Sequence, residues 1–114
     1  MPALTLTEMN KVSISPAKYE KKEVALATPG YKAYRIPLDA KTRILCLVDV
    51  NTAAEYKCEY STSDGADFAA GTHRTRDVFG VNQTVDQDFE LPGGVSAVII
   101  TLVSGSIDIE VVAL

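Results

Sequence analysis

Three groups of side chains in this 114-residue chain could do chemistry. The first is His73, the single histidine, set in Gly71-Thr72-His73-Arg74. As a general base it would need a Ser or Cys nucleophile within hydrogen-bond reach. Cys46 and Cys58 lie in strand-like runs, so they are expected to be buried away from this loop. Two Cys and one His at these spacings match no zinc-site pattern, and His73 reads as a loop histidine. The second group is the cysteine pair itself, which could close a disulfide but, in a reducing cytoplasm, is expected to remain two thiols behaving as small core hydrophobes. The third is carboxylate: Asp64-Gly65-Ala66-Asp67 and Asp86-Gln87-Asp88. Calcium would need further oxygen ligands and a closing Glu at set positions, and the spacing does not supply them. A glycosidase pair needs a set carboxylate separation, which nothing here fixes. There is no Gly-rich phosphate loop ahead of a helix and no serine nucleophile elbow. No catalytic residue, metal or cofactor is therefore expected, and the chain does not read as an enzyme.

Sugar binding by a β-sandwich usually rests on an exposed aromatic platform. The chain has no Trp. Tyr56 and Tyr60 read as inward-facing, and Phe68 and Phe79 lie near the loop. Core packing is the simpler reading of all four.

The elements that would position these residues are strands. Lys32–Leu38 alternates, with Pro37 placed at a strand end or sheet edge because it lacks a ladder donor. Arg43–Val50 is a central-strand run. In Ala54–Tyr60 the residues Ala54, Tyr56, Cys58 and Tyr60 face one way, and Glu55, Lys57 and Glu59 face water. If Asn51-Thr52-Ala53 is a three-residue hairpin loop, Val50 meets Ala54, Val48 meets Tyr56 and Cys46 meets Cys58. Thr75–Gly80 and Val81–Leu91 are expected strands, the second with Asp86, Asp88 and Glu90 on one face. Val95–Leu114 reads as a hairpin with Ser104-Gly105 at its tip, pairing Leu102 with Ile107, Ile100 with Ile109 and Val98 with Val111. Those six form an aliphatic core face. The other face, Ala97, Ile99, Thr101 and Val103 against Ser106, Asp108 and Glu110, is half apolar and half acidic. Short strands with turn signals between them predict an all-β protein, a single two-sheet antiparallel β-sandwich over residues 31–114.

Residues 1–30 differ and read as an extended N-terminal arm. Ala3–Thr7 and Lys11–Ser15 alternate like short strands. Ala17–Leu26 has room for one or two helical turns but no sustained apolar period, and Thr28-Pro29-Gly30 is a turn. A polar arm with little core of its own is ordered only against the body or a partner.

Length and composition are those of one globular domain, 46% hydrophobic and 23% charged. The longest apolar stretch is too short to span a bilayer. No basic start or apolar h-region marks a signal peptide, so a cytoplasmic origin is expected. The net charge of −4 is uneven. Residues 1–43 carry eight Lys and Arg against four Asp and Glu, whereas residues 44–114 carry three against eleven. A basic arm on an acidic body suggests contact with a neighbouring acidic surface, and disfavours nucleic acid.

The stretch EYSTSDGADFAAGT, followed by FELPGGVSAVIITLVSGSIDIEVV, resembles small all-β virion proteins of tailed bacteriophages. In both, a tyrosine strand leads to a loop with an aromatic after small and acidic residues. A Pro-Gly turn, a Val-Ser-Ala-Val-Ile strand and a Ser-Gly hairpin follow. The position expected to hold Trp holds Phe68. The resemblance covers about half to two-thirds of the chain and implies a capsid decoration, or cement, protein in the virion, assembled in the host cytoplasm. Its expected partner is the major capsid protein or another virion protein, with homo-oligomeric contacts and neither nucleic acid nor membrane. The alternative is a carbohydrate-binding β-sandwich module. The interface expected under the first reading is the arm lysines Lys11, Lys18, Lys21 and Lys22 with the hairpin face Ile99, Thr101 and Val103.

Overall fold

The computed structural model describes residues 6–9, 11–14, 17–25, 32–37, 43–92 and 94–113. The described strands are β1 (Leu6–Glu8), β2 (Lys11–Ile14), β3 (Ala17–Ala25), β4 (Lys32–Pro37), β5 (Arg43–Ser61), β6 (Arg76–Asp77), β7 (Gln87–Pro92) and β8 (Ala97–Ala113), with one short helix, α1 (Gly65–Ala70). All eight strands join in one hydrogen-bonded sheet, antiparallel except where β1 runs parallel to β4. The all-β expectation holds.

The sheet is organised by two long strands, β5 with 19 residues and β8 with 17. They pair antiparallel along nearly their whole length, from Ile44↔Ala113 to Ser61↔Ala97. The register slips at Val50/Thr52, Thr52/Glu55 and Glu55/Tyr56, so a corner divides the ribbon. On one side of it, β3 and then β2 extend from the 106–113 part of β8, and β7 extends from the 43–48 part of β5. This is the first limb. On the other side, β4 and then β1 extend from the 97–102 part of β8, and β6 extends from Glu59 and Tyr60. This is the second limb. The curled sheet closes its inner faces around one apolar cluster that includes Tyr19, Val24, Tyr34, Ile36, Val48, Tyr56, Ile100, Leu102, Ile107 and Ile109.

Both expected hairpins are therefore corrected. Asn51-Thr52-Ala53 and Ser104-Gly105 are not turns between neighbouring strands. They are the bulged corner where β5 and β8 bend together. Gly105 adopts φ +77°, and a Cβ there would stand 2.1 Å from the Ala53 carbonyl oxygen. Only glycine lets the two backbones approach so closely. The cysteine register falls with the hairpin: Cys46 lies opposite Phe89 and Val111, and Cys58 opposite Ile100.

The described part of residues 1–30 is sheet. Ala17–Ala25 is strand and not helix, because Tyr19 and Val24 point into the core at registers facing Val111 and Ile107. Met9 is buried too, its N–H donating to the Arg35 carbonyl at 2.9 Å. The turn expected at Thr28-Pro29-Gly30 lies outside the described residues. The later expected strands are shorter than their pattern suggested. Only Arg76–Asp77 and Gln87–Pro92 form strands, with Gln83 bridged to Tyr56 between them.

Candidate functional site

The residues weighed for catalysis are occupied with holding the fold. Cys46 and Cys58 are free thiols buried in the core. Burial, and secondarily the nearby Cys58, raises the pKa of Cys46, while burial and then Glu59 push Cys58 up to about 12. Neither is a thiolate at neutral pH, so neither is nucleophilic. Asp64 caps α1, accepting from the Asp67 N–H at 2.8 Å. The Asp67 carboxylate accepts from the Thr72 hydroxyl at 2.9 Å. Gly71, at φ +75°, ends the helix. Asp86 accepts from the Val50 N–H at 2.7 Å, satisfying a donor where the corner begins. Among the described residues no group of three His, Cys, Asp or Glu side chains is placed to hold a metal ion.

The outer faces of the two limbs differ. On the second limb, Ala33 and Arg35 of β4, Ile99 and Thr101 of β8, and Lys57 and Glu59 of β5 share the face that points away from the core. The loop from Thr62 to Thr75 folds back over it. Phe68 of α1 sits under the Arg35 guanidinium, 4.3 Å from ring centroid to Cζ, and stacks on His73 at 4.3 Å. Ile99 and Thr101 are only 3% and 6% exposed within this single chain. Both are therefore buried without a partner chain. Val103, at the corner, is half-buried. His73 has a part after all, as the layer behind Phe68.

The first limb has no such cover among the described residues. Its outer face carries cross-strand rows: Lys18, Val112, Leu45 and Glu90, then Glu20, Glu110, Leu47 and Asp88. Asp108 and Asp49 follow as a directly opposed acidic pair. Leu45, Leu47 and Val112 remain partly exposed in the middle. Around Leu47 the face is concave, about 400 Å³, with Lys18, Lys22, Asp49 and Asp108 on its rim.

The lysines expected as a grip sit on this limb, and Lys18 and Lys22 are engaged within the chain. Lys18 pairs with Glu110 at 3.2 Å and Glu20 at 3.7 Å, and Lys22 with Glu20 at 3.2 Å. Glu20, by hydrogen bond first and then by charge, raises the Lys22 pKa, and Asp108 and Glu110 add to it. Lys11 and Lys21 are exposed. The uneven charge of the sequence is therefore partly answered inside the molecule, because β3 lies against the acidic strand β8. Leu45, Leu47 and Val112 were missed by sequence reasoning. The signal was the outward parity of Leu45 and Leu47 in a run apolar on both faces.

No family model matches this sequence, and no curated protein matches it. Solved structures share its shape. The chain is similar to CorA, a surface-associated copper-binding protein of Methylomicrobium album, with TM-score 0.54 and 6% identity over 98% of this chain and 99% of that one. It is similar to the CUB1-EGF-CUB2 domains of rat MASP-1, with TM-score 0.50 and 12% identity over 96% of this chain. It spans 43% of that longer chain. The SPBc2 prophage-derived protein YomS aligns over 79% of this chain and 97% of its own, with TM-score 0.47 and 8% identity. Likeness at such identities concerns the all-β fold alone.

Proposed function

We propose that this is a non-enzymatic structural protein of a tailed-phage virion, a capsid decoration protein whose two limbs act as the facing leaves of a β-sandwich. The observation that carries the reading is the outer face of the first limb: Leu45, Leu47 and Val112 partly exposed at the centre of a charged sheet face. The resemblance of EYSTSDGADFAAGT and the following strands to small virion proteins supplies the setting. The rim is predominantly acidic, with Glu20, Asp49, Asp88, Glu90, Asp108 and Glu110 outnumbering Lys18, Lys22 and Arg43. A matching capsid surface would therefore present an apolar patch edged by basic side chains. Covering the remaining surface of the three apolar residues contributes on the order of 1 kcal/mol each. That is weak for one copy, but contacts linked through an assembled lattice add by avidity.

The test is co-sedimentation with particles assembled without this protein. Leu45→Lys combined with Leu47→Lys, checked for folding by circular dichroism, is expected to lower the bound fraction at least tenfold. A double variant that is folded and sediments like wild type refutes the assignment of this face.

A further inference from the structure

The 44–114 region holds only three cations, Lys57, Arg74 and Arg76, against eleven carboxylates. Two of the three line a single cleft of about 260 Å³ at the open end of the second limb. Tyr60 and Arg76 are cross-strand partners on β5 and β6, Arg74 enters from the loop after α1, and Thr62 lies beyond the end of β5. The third cation, Lys57, takes up the neighbouring acids, standing 3.7 Å from Glu59 and 3.5 Å from Asp77. Glu59 also accepts from the Thr75 hydroxyl at 2.6 Å. The arginines are left without carboxylate partners among the described residues. Arg76 donates to the Thr75 carbonyl at 3.3 Å.

The walls are tied together. The Ser61 hydroxyl donates to the Arg74 carbonyl at 2.5 Å, and the Arg74 N–H donates to the Ser63 hydroxyl at 2.9 Å. The cleft is thus a concavity lined by Arg74, Arg76, Tyr60 and Thr62, with the Ser61 and Thr75 hydroxyls already engaged within the chain. Guanidinium forks match a carboxylate bidentately, a ring face packs on a sugar's C–H surface, and a threonine hydroxyl such as that of Thr62 exchanges hydrogen bonds with sugar hydroxyls. The volume lies just below the usual range for small-molecule sites, room for one residue of a glycan and more than a lone carboxylate requires.

We propose that this cleft binds a carboxylated sugar, its carboxylate held by Arg74 and Arg76 and its ring set against Tyr60. The site is on the opposite limb from the proposed capsid contact, so the two stand independently.

The experiment is an NMR titration of the full chain with D-glucuronate, D-glucose, acetate and inorganic phosphate, each to about 10 mM, where a millimolar site would be mostly filled. Saturable shifts at Tyr60, Arg74 and Arg76 are expected with glucuronate, at least tenfold tighter than with glucose or acetate. Arg74→Gln with Arg76→Gln should lower the affinity at least tenfold, and Arg43→Gln, on the first limb, should leave it unchanged. Absence of saturable shifts overturns the proposal. So does phosphate or acetate binding as well as glucuronate, which reduces the cleft to a general anion patch. Full binding by the folded double variant overturns it too.

Discussion

Replacing Gly105 tests the corner that organises the whole sheet. Its φ of +77° costs any residue with a Cβ about 1–2 kcal/mol. Gly80, with φ +81° and nothing within 4 Å of a built Cβ, carries that penalty alone. At Gly105 the added Cβ would also meet the Ala53 carbonyl oxygen at 2.1 Å and the Ala54 Cα at 2.6 Å. Both are backbone, so no rotamer change relieves the overlap. The strands must separate by roughly an ångström, and each ladder hydrogen bond lost nearby costs about 0.5–1.5 kcal/mol net. Together these amount to about 3–5 kcal/mol for Gly105→Ala, against about 1–2 for Gly80→Ala. A domain of this size has roughly 5–15 kcal/mol in total, so the first variant should be near the edge of folding and the second comfortably folded.

Urea unfolding at constant temperature reads the difference as a lower midpoint with an unchanged slope. Gly105→Asn sharpens the test, because Asn tolerates the left-handed region and is welcome at a two-residue hairpin tip. At the corner its Cβ meets the same Ala53 oxygen. If Gly105→Asn is within about 1 kcal/mol of wild type, the chain turns back at Ser104-Gly105 and the long β5–β8 ribbon is wrong.

Two further outcomes follow from the buried groups. Stability should fall as pH rises from about 8.5, where unfolded thiols ionise, toward 12, because the native state keeps the Cys58 proton up to about 12 and holds those of Cys46 and Tyr56 beyond their ordinary range. Each such group steepens the fall by up to about 1.4 kcal/mol per pH unit in its window, and Cys58→Ala should flatten it in denaturant titrations at stepped pH. Phe68→Ala should cost about 1–3 kcal/mol, less than a fully buried Phe, and amide exchange should quicken at Ile99 and Thr101. Unchanged exchange there would mean that Phe68 does not provide their cover.

The sequence was legible at the level of faces and illegible at the level of partners, for a reason visible at the corner. The inward residues of β8 are even at Val98, Ile100 and Leu102 and odd at Ile107, Ile109 and Val111. A two-residue hairpin and a bulge at Ser104-Gly105 flip that parity alike. On β5, a three-residue loop and a bulged continuation both leave Cys46, Val48, Tyr56 and Cys58 on one side. The apolar pattern thus fixes what each side chain faces and says nothing about which strand lies alongside. Pairing is settled by non-local packing: Tyr19 and Val24 need β8 beside them, and Phe89 needs β5. The same limit hid both candidate sites. Arg74 and Arg76 are two basic residues in an acidic region until β6 brings Arg76 beside Tyr60.

Ile99 and Thr101 invited an external partner because nothing in the sequence places the loop after β5 on their side of the sheet. The N-cap at Asp64 and the left-handed Gly71 make that loop a defined helical turn, which presents Phe68 to Arg35 and His73. A chain that spends ten or more residues closing one outer face, with nothing comparable over Leu45, Leu47 and Val112 among the described residues, treats its two faces differently. Selection for solubility alone would place charges at all three positions, as it has at Lys18, Asp49 and Asp88 on the same face. The apolar strip on the first limb is therefore the surface on which the assembly hypothesis stands, and the lysines of β3 contribute to it by neutralising Glu20 and Glu110 at its rim.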